Sequence, residues 1–499
     1  MLRPDENEFE ALAARGFNLI PVCREIAADL ETPVSAFLKV AGDRDYSFLL
    51  ESLSGGEKWA RYSFLGAEPS LVLRLKGERV ERIPPHGTSE IRRAGNPLDE
   101  LRRELGRFRA PELPYLPRFF GGAVGFLSYE VVRSLEGLAP VGHDAPEMRL
   151  IFTDSLLVFD NLSQKIKVIA NVALEDFDST HAAYTSARER IDRAIEKLSG
   201  PPAAPKVATY ANGDRQVALS PASPLEDYLT ALIRAREYVL AGEALRLVPA
   251  QRFEAPLVAH PFNLYRGLRA TCPSPYMFYL RLGEETLVGA SPESMVRVEG
   301  REVTLRPTAG SRPRGASEAE DRGLESQLRA DAADRASHLT LVDAARGDLG
   351  RVARTGSVEV TELMTVERYA EEMLMVSNVR GILRESADAF NALGAVFPPG
   401  GVVGLPRRRA VELLEQLEPL RRGVFFGAVG YFSFIGNLDA AIASRTMLVR
   451  DGRIHLQTGE AVEAHSDPAA VYESSMEQAR TLGRAMAAAH ELEHGGGAE

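Results

Sequence analysis

The chain has 499 residues, 45% of them hydrophobic and 26% charged, a composition that fits a folded protein of two or three parts and excludes a stapled peptide or a disordered chain. Its formal net charge of −11 repels phosphate backbones and anionic membrane faces, so no nucleic acid and no membrane is expected as a partner. Two cysteines, Cys23 and Cys272, form neither a disulfide framework nor a Cys-rich metal site and fit a reducing compartment.

In chain order, residues 1–10 are acidic and lack the basic-then-apolar order of a secretory leader, and no apolar run approaches a membrane span; a cytoplasmic protein is expected. Alternation predicts strands over 70–75 and 150–159, and helical spacing predicts helices over 97–108 and 180–198. Between 199 and 222, Pro201, Pro202, Pro205, Gly213 and Pro221 interrupt every period, which reads as a linker between parts 1–198 and 223–499. The second part opens on Ser223, expected as an N-cap before Pro224 and Glu226, with a helix to about Leu240. Residues 287–307 then read as strand, turn and strand around Glu299-Gly300-Arg301, residues 322–349 as one long helix, and 468–494 as another. This order implies an α+β architecture.

Two further patterns stand out. The run Phe119-Phe120-Gly121-Gly122-Ala123-Val124-Gly125-Phe126 is echoed by Phe425-Phe426-Gly427-Ala428-Val429-Gly430-Tyr431, which reads as a tightly packed strand used twice or as a duplicated unit. His490-Glu491-Leu492-Glu493-His494 is a literal H-E-x-x-H, but it lies just before a Gly run with nothing downstream to add a ligand, so a solvated helix end is expected there.

Polar, Gly-rich strings interrupt the strands of the second part at 289–293, 307–315 and 436–439. Together with residues 338–352, 376–381, 417–434 and 444–447 they make the chain resemble anthranilate synthase component I, within the chorismate-utilising enzymes, nearly end to end. The resemblance implies a two-sheet α/β sandwich with an N-terminal regulatory region against a chorismate-binding region. It also implies conversion of chorismate and ammonia to anthranilate and pyruvate, with Mg²⁺, a glutamine amidotransferase subunit as ammonia source, and an oligomeric assembly. By the same resemblance, Glu293 is the acid that protonates the leaving hydroxyl and His338 stands near the departing pyruvyl group. Arg445 pairs with a substrate carboxylate, and Gly310, Ser311 and Gly459 cradle the substrate. Feedback L-tryptophan falls to Leu50, Glu51 and Ser52 with Pro275, Tyr276 and Met277.

The chain departs from this pattern at the reacting site. Where the family carries two magnesium glutamates it has Ser337 and Ser474; Asp334 and Glu477, three residues away on the same expected helix faces, are possible substitutes. Gln478 replaces a lysine, Glu460 enters the Gly-Ala-Gly cradle, Arg407 replaces a lysine, Leu374 a histidine, Ala440 a threonine and Arg246 a glutamine. Three expectations therefore stay open: a lyase, a non-enzymatic tryptophan-binding regulatory or scaffold subunit, and a relative that forms 4-amino-4-deoxychorismate.

Overall fold

Alternation along one strand displays the layering. In Tyr276–Leu282, Phe278, Leu280 and Leu282 enter one apolar cluster while Met277 and Tyr279 enter another, as a period of two requires when both faces of a strand are covered. The first cluster also holds Phe64 and Leu287 of the same sheet with Val124, Phe126 and Val429 of a second sheet, so it lies between two sheets. The second joins its sheet to helices Glu6–Ala14, Pro33–Val40, Thr180–Ser199, Pro261–Thr271 and Pro468–His494. A third covers the outer face of the second sheet with helices Leu225–Leu240, Ala332–Gly350, Ala389–Val396 and Arg407–Leu417. The computed structural model describes all residues except 43, 54–60, 94, 140–145, 202–216 and 495–499.

Each sheet contains 12 strands among the described residues. Both sheets run across the 198/223 division: Tyr46–Glu51 pairs with Tyr276–Leu282 in the first, and Gly122–Leu127 with Ala428–Ser433 in the second. The last pair is the echoed motif, with Gly125 opposite Gly430.

Three expected elements are divided. Residues 150–159 belong to two strands, Met148–Thr153 in the second sheet and Ser155–Asp160 in the first, and the chain changes sheet at Asp154. Residues 287–307 likewise supply Glu285–Ser291 to the first sheet and Ser294–Glu299 and Glu302–Leu305 to the second. The strands on either side are buried on both faces, and the crossings fall at the short polar breaks Thr153-Asp154-Ser155 and Ser291-Pro292-Glu293. The long helix splits into Glu318–Ala330 and Ala332–Gly350 at Asp331, whose carboxylate accepts from the Ala333 and Asp334 N–H groups and caps the second helix.

Smaller differences fall at helix ends. Pro97–Leu105 stops short of Phe108. Pro224, not Ser223, holds the cap position of Leu225–Leu240, without a side-chain cap bond. Within the linker, Ser220–Pro221 pairs with Ala250–Pro256, and residues 202–216 lie outside the described residues. No described helix is long and apolar enough to cross a membrane.

Candidate active site

The crossing between sheets at Pro292-Glu293 leaves both residues in the wall of a cavity of about 410 Å³. The Glu293 backbone is fixed on both sides: its N–H donates to Ser291 Oγ (3.2 Å) and its carbonyl accepts from Ile442 N–H (3.0 Å). Burial raises its carboxyl; Arg445 opposes that, Glu372 and Glu460 reinforce it, and the result is about 7. Such a group is a proton donor near neutrality, as general-acid work requires.

Gly310 and Ser311 line the same cavity. They sit in Thr308–Pro313, whose register against Glu372–Ile382 slips between Thr308 and Ser311. Gly310 takes φ +83°, which L side chains rarely adopt. His338, expected beside the reacting group, is fully buried and is not among the lining residues. Its Nδ1 faces the Ala309 carbonyl at 3.2 Å and its Nε2 the Ser377 hydroxyl at 2.7 Å. A carbonyl only accepts, so Nδ1 carries the proton and, in the neutral ring, Ser377 donates to Nε2. Burial lowers the His338 pKa, which keeps the ring neutral. The residue therefore braces the strand at Ala309, beside Gly310.

Arg445 lines the cavity, but its guanidinium is engaged by Glu372 and, at 3.6 Å, by the Cys272 sulfur. The fork expected to receive a substrate carboxylate already holds one from the protein. Arg312 is similarly paired with Asp331 (3.2 Å) and Asp334 (2.9 Å). Gly459 lines the opposite wall with Glu460, Ala461 and Glu463.

Both serines at the expected magnesium positions are engaged by acids of the protein. Ser337 donates to Glu463 Oε1 at 2.6 Å and accepts from Arg246 Nη1 at 3.2 Å. Ser474 is exposed, lies outside the cavity lining, and donates to Glu460 Oε2 at 3.2 Å. Glu460 also accepts from Gln478 Nε2 (2.8 Å) and from the Ala461 N–H (3.3 Å), and burial raises its pKa, which softens the repulsion expected from a carboxylate in the cradle.

These groups do not fit a magnesium ion. A hard cation takes carboxylate oxygens that are free to turn towards it, whereas Asp334 is paired with Arg312 and Glu463 with Arg246. Glu477, the other possible substitute, stands outside the lining and accepts from Arg480 (3.1 Å) and Arg484 (3.0 Å). No group of three His, Cys, Asp or Glu side chains arranged for a metal occurs among the described residues. At the H-E-x-x-H string, His490 contacts the Val258 carbonyl (3.3 Å) and Glu493 accepts from Asn263 (2.6 Å); the His494 side chain lies outside the described residues.

The six residues expected around tryptophan do come together. Leu50, Glu51, Ser52, Pro275, Tyr276 and Met277 line one pocket, because Glu51 pairs with Met277 in the first sheet. Glu51 itself is bound by Tyr265 and by Arg269 at 3.1 Å. Tyr276 donates to Asp439 at 3.0 Å, and Arg118 reaches both Asp439 (3.3 Å) and Tyr431 (2.9 Å). The open space is about 60 Å³, against about 300 Å³ or more for ordinary small-molecule pockets, so an indole enters only if side chains move. Ser52 Oγ is buried without a hydrogen-bond partner.

Sequence reasoning missed Glu372, Arg312, Arg118 and Asp439. Asp439 and Arg312 stood in strings already singled out, 436–439 and 307–315; Glu372 and Arg118 become functional candidates through long-range pairing alone.

Comparison with known proteins adds independent support. The chorismate binding enzyme family matches residues 47–483. Anthranilate synthase component 1 of Pseudomonas aeruginosa is 42% identical over 497 residues, covering 98% of this chain and 99% of that protein. The Pseudomonas putida protein of the same name is 41% identical over 494 residues, with 98% and 99% covered. Among solved structures, anthranilate synthase component I from Streptococcus pneumoniae superposes with a TM-score of 0.76 at 30% identity, covering 92% of this chain and 98% of that one. MenF, the menaquinone-specific isochorismate synthase of Escherichia coli, gives 0.69 at 16% identity over 96% and 99%, a likeness of fold alone.

Proposed function

The chain belongs to the chorismate binding enzyme family, and from that premise we propose that it is a lyase of the anthranilate synthase component I type. The reaction turns chorismate and ammonia into anthranilate, pyruvate and water. Ammonia forms the new ring carbon–nitrogen bond as the ring hydroxyl departs; the enolpyruvyl carbon–oxygen bond then breaks with loss of a ring proton. The observation that carries this reading is the Glu293 carboxyl, raised to about 7 by burial and lining the cavity. Its proton goes to the departing hydroxyl, which leaves as water. Gly310 and Ser311 bring the strand edge close to the ring, and Gly459 leaves room on the opposite wall. Magnesium, the cofactor implied by the resemblance, would need free acids on the helix side, and those are already engaged.

Ammonia would come from a glutamine amidotransferase subunit in the cytoplasm. Both cysteines of this chain are buried, and burial pushes the Cys23 thiol up to about 11, so neither resembles a glutaminase nucleophile. Tryptophan feedback is assigned to the pocket at Ser52 and Tyr276. A route to the reacting site exists in the covalent neighbourhood of that pocket, since Cys272, three residues before Pro275, contacts Arg445.

A second reading has its own supporting observation: Ser337 and Ser474 turn their hydroxyls to acids of the protein itself, as in a subunit that keeps the scaffold and binds tryptophan without catalysis. Anthranilate fluorescence with chorismate in ammonium buffer separates the two. The lyase yields product at a rate that Glu293→Gln lowers about 100-fold or more; a folded protein that yields none supports the second reading.

A further inference from the structure

Arg246 is a cation of the cavity with a donor left unbonded. It lies in the short strand Arg246–Leu247, which pairs with Gly404–Leu405, and only 6% of its surface is exposed. Nη1 donates to Ser337 Oγ at 3.2 Å and Nη2 to the Gly401 carbonyl at 3.3 Å. Its Nε is buried with no hydrogen-bond partner. A guanidinium has five N–H donors in a planar fork, and buried donors in folded proteins are almost always satisfied. Arg246 lines a polar cavity, and each of its two Nη groups carries a second N–H beyond the bonds named, so a ligand oxygen is the natural acceptor.

The backbone fixes this cation where it stands. Leu247 and Val462 exchange two backbone hydrogen bonds, of 3.0 and 2.7 Å, which sets Arg246 beside Glu463 at 3.4 Å. The same guanidinium touches Ser337, the position where the resemblance calls for a magnesium glutamate, and Arg246 itself replaces a glutamine. One exchange therefore accompanies the other: a carboxylate that would hold a cation is lost, and a residue that is a cation arrives in contact with it. Arg445 and Arg312 are each matched by nearby acids. Arg246 shares its one carboxylate, Glu463, with the Ser337 hydroxyl.

We infer that Arg246 takes the place of the divalent ion in this cavity, receiving a carboxylate of a chorismate-class dicarboxylate through its fork, so that ligand binding here is independent of metal. This rests on the chorismate reading of the same cavity. The cationic charge is covalently supplied and needs no set of free acids, which accounts for the engagement of Asp334 and Glu463 with arginines.

The test is isothermal titration of chorismate into the whole purified chain, once with EDTA and once with Mg²⁺, for the parent, Arg246→Gln, Arg246→Lys and Glu463→Gln. Arg246→Gln carries the residue found in the resembled pattern. Expected are equal affinities with EDTA and with Mg²⁺, a loss of about tenfold or more in Arg246→Gln, as for a charge-assisted bidentate contact, and a smaller loss in Arg246→Lys. Glu463→Gln, which frees the fork, tightens binding; a residue with a purely structural role would not gain affinity there. Binding by the parent that appears only with Mg²⁺ overturns the inference and leaves the chorismate reading intact. Unchanged affinity in a folded Arg246→Gln also overturns it. No binding in either buffer, from a parent that melts cooperatively, overturns the chorismate reading as well.

Discussion

The two walls of the cavity hold their polar groups in different ways. On the strand wall Glu293 stands at a sheet crossing, and Gly310 and Ser311 at a register slip, both fixed by sheet pairing. On the helix wall Ser337, Glu463 and Arg246 satisfy one another, and Glu460 accepts from Ser474, which lies outside the lining. The difference teaches that a fold held by apolar layers is indifferent to which polar groups line a cavity, provided each finds a partner.

The sharpest way to separate the walls is to remove the acid from the strand side. Glu293→Gln lowers the rate of product formation about 100-fold or more, the usual loss for a general acid. In the parent, the rate declines as pH rises through about 7, where Glu293 loses its proton; the residual rate of the variant lacks that limb. A rate unaffected by the substitution would remove Glu293 from the reaction.

The same variant sharpens the comparison through stability. Folding raises the Glu293 pKa from 4.5 to about 7, so the folded state binds the proton more tightly and stability is lost as pH rises through that window. Gln carries no such cost. At about pH 8 the variant should be more stable than the parent by about 2 kcal/mol, less than the full linkage value because the carboxyl is partly open to the cavity. That advantage should shrink towards zero as pH approaches 4.5 in urea unfolding series. A less stable variant at high pH would show that the charged form is welcomed in the fold.

The helix wall is broken in the opposite direction, by restoring carboxylates. Ser337→Glu with Ser474→Glu alone should bind Mg²⁺ weakly, because Arg246 and Gln478 stand beside the new acids. Adding Arg246→Gln should tighten Mg²⁺ by about tenfold, the weight of one removed like charge at close range. Equal Mg²⁺ affinities in the double and triple variants would clear Arg246 of any part in excluding the ion.

The smallest expected effect lies in the regulatory pocket. L-Tryptophan at about ten times its dissociation constant should stabilise the chain by about 1.4 kcal/mol, read as a thermal shift. Ser52→Ala, which removes the buried unpartnered hydroxyl, should weaken that shift while leaving the melting point without ligand nearly unchanged. An identical shift in the variant would place tryptophan elsewhere.

Much of this was legible along the chain, and the limits have physical causes. Thr180–Ser199 and Leu225–Leu240 follow from local periodicity, to within a residue or two at their ends. The glutamate-to-serine exchanges at 337 and 474 were equally plain as departures from a specific string. The sheet changes at Asp154 and Glu293 were hidden because a short polar break between two strands buried on both faces does not say which sheet each strand joins. The pairings that redefine the cavity were hidden for a different reason. Arg445 meets Glu372 across 73 positions, and Ser337 meets Glu463 across 126; no local pattern connects such residues. His338 shows the remaining limit, since the string around it marks a special residue but does not reveal which way its ring is turned.

The most direct test of the account is anthranilate fluorescence from the purified chain with chorismate and ammonium, followed side by side in EDTA and in Mg²⁺. The account predicts product in both buffers at similar rates, with a decline above about pH 7 set by Glu293. No product in either buffer, from protein that unfolds cooperatively, would contradict it and leave a scaffold that binds without converting.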